Sequence, residues 1–387
     1  MLLPSLPPPS PTNRFAQNED AALLGFRIFF DARFAQTSPH TTDHEIRCAT
    51  CHLPEKDFHD GLPTSLGIGT VTRNSPTLLN SAYLRRFFWD GRAETLWAQP
   101  LFAFEAPNEM DFTRLEIAHA LNTLNYYGTP YKTLYANAFG AFPSVEHLPP
   151  RGSPSHPAWD NLPETDKTTV NRIAANVGKA LEAYMRKIAA GRSALDRFIL
   201  GDPTALPETA QRGLVLFVRE AGCIGCHYGP MLTDESYHVT GVSGEPPYDP
   251  GRFHGLEVLQ NDTTFSATGV FSDGEPLPYT EHSSPNLMYA FKTPSLRNVA
   301  SPNNTYQHSA PYGHNGAFAS LKDMVQWEAS GAGLTLNKET PFDFDPLLYA
   351  RLEAQPLTPA QIDDLVSFLQ HLHGDPPPLP WANWPDR

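Results

Sequence analysis

The chain has 387 residues and only four cysteines, too few to staple a polypeptide of this length with disulfides. No apolar run is long enough to cross a bilayer. Positive charge is scarce: 28 Lys and Arg stand against 42 Asp and Glu, a formal net charge of -14. That balance argues against nucleic acid and anionic membranes as partners and suits a protein with a basic face. Strand signals are sparse. The opening Met1-Leu2-Leu3-Pro4 lacks the basic and apolar regions of a signal peptide. Proline, by contrast, is abundant at 39 residues, which implies a loop-rich chain with short helices. The length suffices for two domains, and a hydrophobic content of 40% for a buried core.

All four cysteines fall in two pentapeptides, Cys48-Ala49-Thr50-Cys51-His52 and Cys223-Ile224-Gly225-Cys226-His227. Each is a C-x-x-C-H motif, the signature of covalent c-type haem attachment. Two thiols three positions apart on a helical turn can both reach the vinyl groups of one porphyrin. The histidine that follows then ligates the iron. Two haems therefore consume every cysteine. Zinc is the rival reading, and it requires the two cysteine pairs to meet. Bacterial c-type haem attachment takes place outside the cytoplasm. A periplasmic or cell-surface location is expected, with a signal peptide removed.

The motifs start 175 positions apart (48 to 223). Two haem domains are expected, 1–165 and 166–387, in a mainly α architecture with long loops. Helices are expected over 20–30, 170–188 (apolar stripe Ile173, Val177, Leu181, Tyr184) and 211–219 (with Leu214 and Phe217). Another should open at Thr358 as N-cap with Pro359 in its first turn. Residues 3–12 read as extended, 74–80 and 88–92 as pocket-lining loops, and 228–289 as mostly loop.

Further segments widen the reading: RNSPTLLN at 73–80, FWDGRAETLWAQ at 88–99, NEM at 108–110, LDRFILGDPTAL at 195–206, FKTPSLRNVA at 291–300 and APYGHNGAFASL at 310–321. With the two haem motifs, their order and spacing resemble the bacterial dihaem cytochrome c peroxidase family, particularly its MauG-like branch, over nearly the whole chain. The resemblance implies a peroxide-reactive haem on His52 and an electron-transfer haem on His227. It implies Trp89 as the aromatic relay between haems, with Gln99 and Glu109 lining the distal pocket. A calcium ion would sit between the haems, held by Asn74 and by backbone carbonyls near Ser309 and Pro311. The residue chemistry is compatible. A carboxyl can carry a proton between peroxide oxygens. An indole is easily oxidised, although tryptophan most often packs a core. A neutral amide oxygen suits calcium, although an asparagine before Ser75-Pro76 is also an ordinary turn residue.

Three departures from the family pattern stand out. Typical peroxidases place a removable histidine where this chain has Ile68; His59 lies near in sequence, in a Phe-His-Asp-Gly turn. A proline usual four positions after Gln99 is Ala103 here, with Pro100 instead. The sixth ligand of the second haem, methionine in typical members and tyrosine in MauG-like ones, aligns with Glu328. Residues 318–330 read as a helix with Leu321, Val325 and Glu328 on one stripe; Met324 and His314 are competing donors. An anionic oxygen ligand favours oxidised iron. The resemblance thus implies an oxidase that reacts with hydrogen peroxide, reaches a high-valent dihaem state and oxidises a tryptophan or tyrosine of a partner protein. Leu96-Trp97-Ala98-Gln99 is similar to MauG relatives that modify secreted copper-binding proteins. The alternatives are a peroxidase fed by a small cytochrome or cupredoxin, and a dihaem electron carrier without catalysis.

The holoprotein is expected to carry two irons and one calcium per chain by metal analysis. The pyridine haemochrome spectrum should be c-type, with no haem extracted by acid-acetone. A single iron, or extractable haem, would refute the two-haem reading; loss of calcium alone would refute only the calcium site.

Overall fold

The computed structural model describes residues 2–242, 248–281, 287–300, 311–330 and 356–385. The described chain is mainly helical. The helices are α1 (Glu19–Phe30), α2 (Cys48–Cys51), α3 (Gln99–Glu105), α4 (Arg114–Thr123), α5 (Tyr131–Phe139), α6 (Pro157–Asp160), α7 (Glu164–Met185), α8 (Ala194–Ile199), α9 (Glu208–Val218), α10 (Arg252–Asn261), α11 (Leu321–Ser330) and α12 (Pro359–Gln370). Two antiparallel two-residue ladders complete it: β1 (Asn125–Tyr126) with β2 (Thr129–Pro130), and β3 (Tyr237–His238) with β4 (Phe291–Lys292).

The first haem motif sits on a core built from α1 and α7. Asn18 caps α1 by accepting from the Ala21 N–H, and Phe26, Ile28, Phe29 and Phe30 are buried. On α7 the expected stripe, Ile173, Val177, Leu181 and Tyr184, is buried. The helix starts six residues before the expected 170, behind Pro163, and ends three before 188. Cys48 packs against this core. The expected division at residue 165 falls in the first turn of α7, so α7 completes the core under the first motif.

The second motif rests on a smaller core from α9 and α12. Phe217 and Phe368 meet with ring centroids 5.2 Å apart, and Leu365 and Leu369 are buried beside them. Helix α12 begins as its sequence predicts: the Thr358 hydroxyl caps the Gln361 N–H, Gln361 reaches back to the Thr358 N–H at 2.8 Å, and Pro359 is the first helical residue.

Described residues 228–289 are mostly loop, as expected, around β3 and the ten-residue helix α10. Sequence misses α10 because a central glycine lowers its propensity. Tertiary contact supplies what propensity does not. A Cβ on Gly255 would lie 2.2 Å from the Asp90 carbonyl oxygen, so only glycine lets the helix approach that backbone. The Arg252 guanidinium adds hydrogen bonds to the carbonyls of Asp90 and Gly91, both at 3.1 Å. Helix α11 starts at Leu321, not 318. Phe318 bridges Tyr312 instead, and the Ser320 hydroxyl accepts from the Asp323 N–H at 3.1 Å.

A cluster of ion pairs around the buried Asp90 links residues 73–92 to Asp249. Asp90, fully buried, receives Arg73 at 2.5 Å and Arg92 at 3.1 Å. Arg73 also grips Asp249 through two bonds of 2.7 and 2.8 Å. Burial opposes the charged form of Asp90, yet Arg92 and Arg73 hold its carboxyl below the usual range.

Asp90→Asn should cost about 3–5 kcal/mol, the usual penalty for breaking a buried pair, read as a lowered urea midpoint at neutral pH. Because the folded pKa is depressed, this contribution is complete above the unfolded value of about 3.9 and fades as pH falls below it. The gap between wild type and variant should therefore narrow on acidification; a constant gap would refute the assignment.

Candidate functional site

The first haem motif forms one wall of a cavity of about 480 Å³, a size usual for cofactor sites. Cys48, Cys51 and His52 line it, and so do Gln99, Glu109 and Trp89. Helix α2 brings both cysteines to the cavity. The His52 Nδ1 hydrogen bonds to the Phe58 carbonyl at 2.9 Å, which makes Nδ1 the protonated nitrogen and reserves the Nε2 lone pair for a metal. Ser75 fixes the same corner. Its hydroxyl donates to the Cys51 carbonyl at 3.0 Å and lies 3.3 Å from His52 Nδ1. Burial lowers the His52 pKa, so the ring is the neutral form that iron binds. Burial also pushes both thiols up, to about 12.

His227 repeats the device, with its Nδ1 bonded to the Leu232 carbonyl at 3.0 Å. The four cysteines form no disulfide. Among the described residues, the one group of three or more Cys, His and acidic donors within 4.8 Å is Cys226, Asp234 and His238. The two cysteine pairs therefore do not converge as a zinc knuckle would require. The donor sets fit two separate haems: Cys48, Cys51 and His52 would hold one, Cys223, Cys226 and His227 the other.

The far side of the cavity comes from α3 and the loop after it. Gln99 is the first residue of α3 with Pro100 directly behind it, a position where proline's missing N–H costs nothing. Ala103, one turn on, also lines the cavity. Glu109 is held there through backbone contacts. The Ile68 N–H donates to the Glu109 carbonyl at 2.9 Å and the Gly69 N–H to the Asn108 carbonyl at 3.1 Å. A Cβ at Gly67 would come within 2.5 Å of both those carbonyl oxygens, so the close approach requires glycine. Burial raises the Glu109 pKa, and Arg92 pulls it partly back. Ile68 is partly buried and packs against the large core. His59 serves its own turn, its Nδ1 accepting from the Gly61 N–H at 3.1 Å. His254 also borders the cavity, from α10; its side chain is half exposed and 3.9 Å from Glu257.

Trp89 directly precedes Asp90. Its indole N–H donates to the Asn74 carbonyl at 2.9 Å, and its own carbonyl accepts from the Lys292 N–H on β4 at 2.8 Å. The Asn74 N–H donates to the His314 carbonyl at 2.8 Å, so the segment after Pro311 lies against Asn74. The Asn74 amide nitrogen donates to the Leu62 carbonyl at 2.8 Å, leaving the amide oxygen for a cation. Ser309 lies outside the described residues. His314 stacks on Phe291 at 3.6 Å and meets Trp89 edge-on at 6.3 Å. Burial drives its pKa down to about 4. Helix α11 turns Leu321 and Val325 into the core shared with Cys223 and Ile224, and Met324 and Glu328 are partly buried on the same helix.

Sequence reasoning missed Arg73, Ser75 and Arg92. The partners of Arg73 and Ser75 are set by folding, and nothing local marks the Arg92–Asp90 pair as buried.

The fold and the twin C-x-x-C-H sites define the class as a dihaem c-type peroxidase. The profile of the di-haem cytochrome c peroxidase family matches residues 19–204. The chain is 30% identical to the cytochrome-c peroxidase IdrP1 of Denitromonas iodatirespirans, over 97% of this chain and 88% of that one. It is 28% identical to the methylamine utilization protein MauG of Methylorubrum extorquens, over 91% of this chain and 78% of that one. The fold is shared with a MauG-like protein associated with microbial copper homeostasis, with a TM-score of 0.65, 22% identity, and 96% and 95% of the two chains covered. The chain belongs to the di-haem cytochrome c peroxidase family. It is accordingly a haem-dependent oxidoreductase acting with hydrogen peroxide, which sets aside the non-catalytic carrier.

Glu109→Gln should slow the reaction of the ferric protein with peroxide about 10²–10⁴-fold, the usual worth of a positioned acid–base group, with both haems retained. As a base, Glu109 works ionised, so the wild-type rate should rise with pH through a value above the ordinary 4.5. The variant should lack that rise. Stopped-flow spectroscopy across pH is the check; an unchanged rate removes Glu109 from the chemistry.

Proposed function

We propose that this protein is a MauG-like oxidase: hydrogen peroxide supplies two oxidising equivalents, and a tryptophan or tyrosine of a partner protein gives up the electrons. The observation that carries the reading is Ile68. At the position where typical relatives keep a removable histidine, this chain has an apolar side chain packed against the core, with its backbone N–H bonded to the Glu109 carbonyl. Peroxide can then reach the first site without prior reduction to release a ligand.

When bound, the haems supply the peroxide chemistry and hold the two oxidising equivalents between them. The chain's own residues do the rest. Cys48, Cys51 and His52 would hold the first haem, and Cys223, Cys226 and His227 the second. Glu109 takes a proton from one peroxide oxygen and returns it to the other. Gln99, on the cavity wall, would orient peroxide by hydrogen bonding. Trp89, fixed to Asn74 and Lys292, offers its ring as the relay between sites. Asn74 would ligate calcium with carbonyls near Ser309 and Pro311. Glu328 would be the sixth ligand of the second haem, with Met324 and His314 as rivals. In this reading 1–165 and 166–387 are the two haem domains, and the protein works in the periplasm or at the cell surface; no described helix is long and apolar enough to cross a membrane. A secreted copper-binding protein is our candidate substrate. The fold neighbour tied to copper homeostasis supports it.

The second reading, a peroxidase that turns peroxide to water with electrons from a small cytochrome or cupredoxin, is favoured by the name of the 30% identical relative. One experiment separates them. Ferric protein is mixed with peroxide in a stopped-flow, with and without a reduced donor. The oxidase reading expects a spectral change without pre-reduction and slow steady-state turnover with donor. A change seen only after half-reduction, with fast turnover, favours the peroxidase. In the same assay Glu328→Ala should alter the spin state and potential of the second haem alone; an unchanged pair excludes Glu328 as ligand.

A further inference from the structure

The tail after α12 does more than cover the core. Trp384 lies across both flanks of the first haem motif. Its indole N–H donates to Glu55 Oε2 at 3.3 Å, three residues after His52. Its ring takes the Arg47 guanidinium at 5.7 Å, the residue before Cys48. It packs on Phe30 with centroids 4.9 Å apart, and the neighbouring Phe29 lines the cavity. A second tail indole, Trp381, is 5.5 Å from Phe26 and 6.4 Å from Tyr184, whose hydroxyl donates to the Trp381 carbonyl at 3.0 Å. Aromatic rings thus run without a break from the cavity wall to the surface, where Trp384 is 43% exposed.

We propose that Trp384 is a surface relay for the first haem, an indole through which oxidising equivalents leave this site independently of Trp89 and the second haem. Two features suit it to the task. A carboxylate accepting from the indole N–H favours loss of an electron and gives the proton a place to go. Exposure lets a reductant reach the ring, whether a small phenol or an aromatic residue of a docked protein. The proposal rests on the peroxide-reactive reading of the first site.

The chemistry balances. Peroxide breaks its O–O bond and takes up two electrons and two protons to leave as two waters. With a reductant present, each electron passes from it through Trp384, which ends unchanged. With none, the indole itself gives up two electrons in succession. Its N–H proton passes to Glu55, and water adds at a ring carbon with loss of its own proton. The net change is indole plus hydrogen peroxide to hydroxyindole plus water, and the oxygen gained comes from solvent.

The test treats ferric holoprotein with one equivalent of peroxide in heavy-oxygen water, without donor. Haem absorbance is followed and peptides are mapped by mass spectrometry. The expected result is a transient spectral change and a Trp384 peptide carrying one heavy oxygen. Trp384→Phe should keep the spectral change, lengthen its decay and abolish the product. A normal spectral change with an intact Trp384 peptide, or with only light oxygen on it, overturns the relay alone. So does a wild-type decay in Trp384→Phe. No spectral change at all overturns the peroxide-reactive reading, and the relay with it.

Discussion

Arg73 is the pivot on which the site turns. Its guanidinium lies between two carboxylates distant in sequence, Asp90 in the loop before α3 and Asp249 before α10. A planar fork with fixed donors can satisfy both at once, which a lysine could not do with the same geometry. The next residue is Asn74, and the residue before Asp90 is Trp89. One buried ion pair therefore sets the distance between the candidate relay and the candidate cation ligand, and the hydrogen bond from Trp89 to the Asn74 carbonyl closes the unit. Such pairs contribute modestly to net stability but penalise alternative arrangements. That suits a site whose work depends on where an indole ring stands.

How distant segments meet follows from the same unit. Helix α10 leans on the Asp90 carbonyl through Gly255 and Arg252. Strand β4 reaches the Trp89 carbonyl through Lys292. A further buried pair, Arg297 to Asp196 at 2.6 Å, ties the turn after β4 to α8, and the Leu3 N–H joins the same carboxylate at 3.1 Å. Chain segments distant in sequence thus converge on backbone carbonyls and carboxylates, beside apolar contacts such as Trp97 with Phe265 and Phe26 with Trp381.

What could be read from the sequence was what is local. The haem motifs declare themselves within five residues. Helices α1 and α12 carry their caps and stripes in contiguous sequence, and α9 begins only three residues before its expected start. Helix α10 was invisible because Gly255 argues against a helix unless one knows that Asp90 lies beneath it. The N-terminal end of α11 was misplaced because the bridge between Tyr312 and Phe318 outcompetes another helical turn. At the site, Gln99, Glu109 and Trp89 were named by resemblance and do border one cavity with His52. Arg92, Ser75 and Arg73 were not named. Ser75 and Arg73 act on the Cys51 carbonyl and on carboxylates that become neighbours only after folding, and Arg92 acts on the nearby Asp90, whose burial the sequence does not mark.

The histidines of the two motifs are oriented alike: His52 to the Phe58 carbonyl, His227 to the Leu232 carbonyl. A peptide carbonyl is a neutral acceptor, so it polarises an imidazole less than a carboxylate would. Both irons would then feel nearly the same push from the proximal side. Under the proposed reading, a difference in electron affinity between the two centres would come from the other residues around each: a cavity with the buried Glu109 at the first, and Glu328, Met324 or His314 at the second. In that reading the two centres would be a matched pair of electrodes made unequal by their surroundings.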